Sequence, residues 1–210
     1  MGISNNGILG AAKGKVNNLV FYQLGSKNII RVIGERKSPL TAGEKHNMGK
    51  MRILMSLFSS IKPFLKAGFS SATLGTALNY HNLATSVNRK NLIGLAEGLQ
   101  QLRYDSLLLS MGDAVLPEMP DVAIEAAGLR FSWSWDTDDF GTGEDQVMMM
   151  AYLPDQNTSI FETAGAKRSR GEDFLTLPPS YLRERLEVFI AFISKDRSRV
   201  SNSIYLGRIN

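Results

Sequence analysis

The chain has no cysteine among its 210 residues. That excludes disulfides, thiolate nucleophiles and cysteine-based zinc or iron–sulfur centres, and it leaves the redox compartment open. Histidine is nearly absent too. His46 and His81 lie far apart with no carboxylate cluster around either, so a histidine base or metal ligand lacks its orienting partner. No run approaches the roughly 18 apolar residues of a membrane helix. The first residues lack the basic stretch and apolar core of a Sec signal, and Asn6 stands where a myristoylation motif needs Ser or Thr. A cytoplasmic location and no direct membrane insertion are therefore expected. A G-x-S-x-G nucleophile motif is also missing. Gly10 to Lys15 falls one residue short of a phosphate loop, puts Val16 where Ser or Thr would hold magnesium, and leads into a strand pattern. No catalytic, cofactor-binding or metal-binding residue is assigned, and the chain is read as a non-enzyme.

Negative charge is scarce in the first half, while positive charge is spread nearly evenly over both. Residues 1–100 hold 13 Lys/Arg against 3 Asp/Glu, and residues 101–210 hold 11 against 17, so the formal +4 is the balance of +10 and −6. The change of sign implies two differently built regions. No aromatic-interleaved basic cluster accompanies it, so no nucleic-acid partner is expected.

What is present reads as α+β. Two apolar segments, residues 16–24 and 28–33, flank Gly25-Ser26, a hairpin-turn signal because glycine adopts positive φ freely. Thr41-Ala42-Gly43-Glu44 fits a capping box. The helix it opens carries Met48, Met51, Met55, Phe58, Ile61 and Leu65 at steps of three and four. Such a stripe reads first as core, and otherwise as a soft partner groove. Pro63 should kink this helix and Gly68 should stop it. Residues 75–83 and 91–102 are weaker segments, short helices or loops with a turn at 88–90.

From Tyr104 the pattern changes to short strands at 107–111, 122–126, 129–135, 147–153, 159–163, 174–177, 186–194 and 200–206. Residues 129–135 alternate, with Leu129, Phe131, Trp133 and Trp135 on one face, which makes Trp133 or Trp135 the expected core tryptophan. Residues 186–194 are apolar on both faces, as a central strand is. This spacing suggests an antiparallel β-sandwich of immunoglobulin/fibronectin type. The expected domains are an N-terminal hairpin and kinked-helix module over 1–103 and the sandwich over 104–210. The acidic loop from Asp136 to Asp145 offers oxygen ligands for calcium, but Phe140 and Val147 stand where an EF-hand needs ligands, and a solvated hairpin loop is the simpler reading. Lys167-Arg168-Ser169-Arg170, followed by Glu172-Asp173, reads as a salt-bridged loop tip.

Several motifs recur together here: Gly7, Gly10, Gly14, Lys15 and Val16; a second strand ending in Arg31; Pro39, Leu40, Thr41 and Glu44 at a helix start; Gly68-Phe69; and a closing segment from Val188 to Gly207. Together they resemble a family of about this length from Bacteroidota catalogued as a domain of unknown function, over the whole chain. Asn17-Asn18 departs from it where a glycine is usual. The resemblance implies no catalytic residues.

The expected role is an interaction or structural subunit docking on a larger assembly through Lys15, Phe21, Tyr22, Arg31, Met48, Met51 and Met55. Its most concrete form is a subunit capping or plugging a Bacteroidota outer-membrane protein-secretion channel, which would place it at the periplasmic face of that membrane. The alternatives are a virion or phage-derived structural protein, and a calcium- or glycan-binding sandwich module.

Overall fold

The computed structural model describes residues 2–4, 13–94, 100–136 and 141–210. The chain divides into two compact units, Met1–Glu44 and Lys45–Asn210. The division expected at 103/104 falls inside the second unit, because the helices share a core with the strands that follow them.

The first unit is a four-stranded antiparallel sheet. Its strands are β1 (Gly2–Ser4), β2 (Gly14–Val16), β3 (Leu19–Leu24) and β4 (Lys27–Val32), in the order β1-β4-β3-β2. Gly25 takes φ +59° in the expected two-residue turn between β3 and β4. Asn17 takes φ +50° in a second such turn. Asparagine tolerates this left-handed region through local hydrogen bonding, so the departure from glycine at this point is accommodated. Gly7 and Gly10 lie outside the described residues. The unit ends in the predicted capping box: the Thr41 amide donates to the Glu44 carboxylate (2.9 Å), the Glu44 amide donates to Thr41 Oγ1 (3.3 Å), and Arg36 pairs with the same carboxylate at 2.6 Å.

The capping box opens α1 (Ala42–Ser60). Pro63 supplies no N–H to the turn before it, and the helix breaks at Ile61 (φ −118°, ψ 22°) before resuming as α2 (Lys62–Phe69). The helix ends at Phe69, one residue past Gly68, though without a left-handed cap, since Ser70 stays in the right-handed helical region (φ −61°, ψ −43°). Gly68 is buried at this end, where an added Cβ would lie 2.6 Å from the Leu109 carbonyl oxygen and 2.7 Å from Ser110 Cβ. The glycine is there for close approach of a neighbouring segment. Next, α3 (Tyr80–Asn88) is capped by Asn79, whose side chain accepts from the Asn82 amide at 2.8 Å. A small hairpin of β5 (Leu92–Gly94) and β6 (Gln100–Leu102) precedes a 3-10 turn at Tyr104–Ser106.

Residues 107–111, expected as a strand, join no ladder. Their backbone pairs with side chains and a helix instead. The buried Asn88 amide brackets Leu108 (2.7 and 2.8 Å), Ser203 Oγ accepts from the Leu109 amide (2.8 Å), and the Met111 amide donates to the Gly68 carbonyl (2.8 Å). Hydrophobicity alone does not distinguish these partners from those of a sheet.

Seven antiparallel strands follow: β7 (Glu118–Glu125), β8 (Gly128–Ser134), β9 (Gln146–Leu153), β10 (Thr158–Glu162), β11 (Glu172–Thr176), β12 (Leu186–Ile193) and β13 (Ile204–Ile209). They form two sheets, ordered β11-β8-β7 and β10-β9-β12-β13. Strands β9 and β12 are buried on both faces. Val147, Met149, Ala151, Val188, Ile190 and Phe192 pack on Leu129, Phe131 and Trp133 of the three-stranded sheet. Met148, Met150, Tyr152, Phe189, Ala191 and Ile193 pack on Leu54, Phe58, Phe64, Leu65 and Phe69 of the helices. The fold is α+β, with helices, a four-stranded sheet and a three-stranded sheet stacked in that order. Each fully buried Phe or Leu in these layers contributes on the order of 2 kcal/mol of apolar transfer.

Two measurements test this account. Gly68→Ala forces the Leu109–Ser110 segment away and is expected to lower stability by roughly 2 kcal/mol in denaturant unfolding, as overpacking does; an unchanged midpoint would remove the close-approach role. The Arg36 guanidinium and the Thr41 groups hold the Glu44 carboxyl down to about 2, below its unfolded value. The pair therefore stabilises fully above about pH 4.5, and its contribution is lost as pH falls from there toward 2. A carboxyl NMR titration of Glu44 with a midpoint near 4.5 would mean that the pair does not form.

Candidate interaction surfaces

The N-terminal sheet confines its charges to one face, which they share with Val20, Tyr22, Leu24 and the buried Ile29. Lys15 stands opposite Val20, and Val20 opposite Arg31. Two residues along the same face, Tyr22 stands opposite Ile29, and beyond them Leu24 stands opposite Lys27. All three charges carried by β2, β3 and β4, namely Lys15, Lys27 and Arg31, thus share one face. The reverse face bears Val16, Leu19, Phe21, Ile30 and Val32 with no charge, and Val16 and Val32 are 64% and 59% exposed. Of the four residues expected here, the structure brings Lys15, Tyr22 and Arg31 together and puts Phe21 on the opposite side. A period of two dictates this separation, since Phe21 and Tyr22 are adjacent.

Met48, Met51 and Met55 belong to the second unit. The buried seam of α1 is Leu54, Leu57 and Phe58, continuing through Ile61, Phe64 and Leu65. The methionines lie about a quarter turn off this seam at 100° per residue. Met48 is 51% exposed, Met51 is half-buried, and Met55 packs at the margin of the core. With Asn47 and Arg52 they line a shallow groove of about 400 Å³. The core reading of the stripe holds for Phe58, Ile61 and Leu65 and fails for Met48, because the first three turns of the helix bury no side chain.

A second constellation lies at one end of the paired sheets, around a residue expected in a salt-bridged loop tip. Arg168 is 2% exposed. Its guanidinium lies 3.8 Å over the Phe192 ring, donates to the Val115 and Leu116 carbonyls (2.7 and 3.3 Å), and pairs with Asp145 at 3.6 Å. Its own carbonyl accepts from Trp133 Nε1 at 2.7 Å. Trp133 is the core tryptophan, edge-on to Phe192 at 5.2 Å, and Trp135 packs at the core margin. Burial pushes the Asp145 carboxyl up against the pull of Arg168.

The loop tip is therefore divided. Lys167 pairs in solvent with Glu144 (2.8 Å), whereas Arg168 is a buried clasp. Glu172 pairs with Arg130, and Asp173 accepts from the Ala166 and Phe174 amides. Nothing in the spacing of Lys167-Arg168-Ser169-Arg170 singles out the buried member; the only signal was an aromatic residue on each neighbouring strand. Beside the clasp, Asp145, Glu144, Lys195 and Arg199 line an open cleft of about 540 Å³. Residues 137–140 of the acidic loop, including the candidate calcium ligands Asp138 and Asp139, lie outside the described residues. Among the described residues, no three or more His, Asp or Glu side chains are grouped to hold a metal.

Glu187 is a fully buried carboxylate on β12. It accepts from Tyr205 Oη and Arg208 Nε (3.0 Å for the latter), with Arg185 Nε at 3.7 Å. Two donors and a nearby third cation on a buried charge compensate its desolvation, and the two donors tie β13 to β12. His81 packs edge-on to Phe58 at 5.8 Å and Tyr80 at 6.4 Å, a packed aromatic position. Among the described residues, no helix is long and apolar enough to cross a membrane.

No curated protein and no solved structure matches the chain. A family described as being of unknown function, DUF6266, matches residues 11–207, which covers the N-terminal sheet from β2 onward, the helices, and the strands of the paired sheets as far as the middle of β13. The chain belongs to that family.

Proposed function

We propose that this protein is a non-enzymatic interaction subunit that docks on a larger assembly through its N-terminal sheet and the methionine flank of α1. The observation that carries this reading is the two-sided character of the sheet. Its cations lie on one face, and its uncharged face leaves Val16 and Val32 more than half exposed. Isolated exposed apolar side chains are ordinary, but five apolar residues sharing one sheet face mark a surface suited to a partner. The methionine flank supports it as a second adaptable apolar surface.

In this reading the seven strands form a sandwich of immunoglobulin/fibronectin type that serves as scaffold. The strand orders β7-β8-β11 and β10-β9-β12-β13 and the absence of a disulfide suit that assignment. The assembly is a protein one, an envelope channel or a virion, and the compartment follows from which of the two it is.

Affinity capture of the tagged protein from fractionated host cells tests the proposal. Wild-type protein is expected to retain a stoichiometric protein partner. Val32→Lys combined with Met48→Lys, both exposed changes, should reduce that recovery at least tenfold with an unchanged melting temperature. A partner in the outer-membrane fraction makes this an envelope subunit, and one in purified particles makes it a virion component. Equal recovery with the double variant, or no partner in any fraction, overturns the docking reading.

A further inference from the structure

The outer face of the three-stranded sheet is the electrostatic counterpart of the basic face of the N-terminal sheet. Leu129, Phe131 and Trp133 point into the core, so the alternate residues of β8 and those opposite them point out. The register puts Asp121 opposite Ser132 and Ser132 opposite Glu172, Ala123 opposite Arg130 and Arg130 opposite Phe174, and Glu125 opposite Gly128. Beyond a bulge, Glu118 stands opposite Ser134. Four carboxylates thus share a face with one cation. Arg130 is already engaged by Glu125 (2.5 Å) and Glu172 (2.9 Å), so the face is net negative by three charges. The basic face of the N-terminal sheet carries Lys15, Lys27 and Arg31 and no acid among its strand residues.

The two faces also match in spacing. Lys15, Val20 and Arg31 form a row across three adjacent strands, and so do Asp121, Ser132 and Glu172. In each row the charged ends are two strand intervals apart, roughly 9.6 Å. Both ends of one row are cationic and both ends of the other anionic, so the charges meet whichever way round the rows are laid. The remaining carboxylates, Glu118 and Glu125, flank the contact.

We propose that the partner of the basic face is a second copy of this chain, whose acidic outer sheet face receives it. This rests on the docking reading above and names one of its occupants. The contact is heterologous, since the donating and receiving surfaces differ, and so it propagates head to tail into a ring or an open filament. Strands of three, six and six residues cover roughly 240 Å² per partner, or about 500 Å² in total. That is less than half of what a stable dimer buries, so the association is weak and depends on the charges rather than on apolar area. The uncharged reverse face is left free for the larger assembly.

Sedimentation velocity on the full chain, with two charge-reversal variants, tests the proposal. Wild type is expected to self-associate reversibly at low ionic strength and at least tenfold more weakly at high salt. Lys15→Glu with Arg31→Glu makes both surfaces acidic, and Asp121→Lys with Glu172→Lys makes both basic, so each variant alone should be monomeric. Mixed, they should associate again, because each then supplies the surface complementary to the other. All four changes are at exposed positions, and matching thermal melts check that both variants fold. Wild type that stays monomeric at low salt, a variant that associates alone as wild type does, or a mixture that stays monomeric each overturns the proposal. If the fractionation experiment still captures a dependent partner, only this inference fails; if it captures none, both do.

Discussion

The second unit depends on the two-sided burial of β9 and β12. Every side chain of β12 and seven of the eight in β9 are removed from water. A strand with no polar face cannot sit at a surface, so each of its faces must be covered by something separate. The three-stranded sheet covers one face, and the broken helix α1–α2 with α3 covers the other. Pro63 matters here because the change of direction at Ile61 lets Leu54, Leu57 and Phe58 before it, and Phe64, Leu65 and Phe69 after it, lie in one core. Gly68 then lets the segment of residues 107–111 run against the helix and reach Ser201 and Ser203, so that helix, extended segment and closing strand region share hydrogen bonds.

Polar groups inside this apolar frame are paired in ways that fix its ends. Arg168 stacks on Phe192, joins the carbonyls before β7 and pairs with Asp145, while its own carbonyl takes the Trp133 N–H. One residue thus links three loops to the core of the paired sheets. At the other strand end, Glu187 gathers Tyr205, Arg208 and Arg185. Neither group is free to do chemistry at neutral pH without losing partners that compensate its burial.

The first unit is built on different terms. Among its described residues one side chain, Ile29, is buried, and its organising feature is the confinement of its strand charges to one face. Residues 1–44 hold six Lys/Arg against two Asp/Glu, so the whole formal charge of +4 falls in this unit and the second unit is neutral. The division of charge noted between the two halves of the chain becomes sharper when drawn at Glu44. Within the second unit the acidic residues are not spread evenly either, since four of them line the outer side of one small sheet.

Local grammar in the sequence was enough to determine several features. These are the Gly25-Ser26 hairpin, the capping box, the break before Pro63, the period-two face of residues 129–135 and the two-sided strand at 186–194. Each rests on contacts or dihedral preferences within a few residues, so composition and spacing carry it. Tertiary structure alone decided the rest. It settled which flank of α1 is buried, because the helix presents two apolar flanks and only the facing sheet selects between them. It gave Gly68, beside the helix end, a close contact, and made residues 107–111 a segment bonded to side chains. It also buried Arg168 between neighbours that face water. In each of these cases the partner lies tens of residues away in the chain, and spacing within a segment carries no information about what a fold brings up against it.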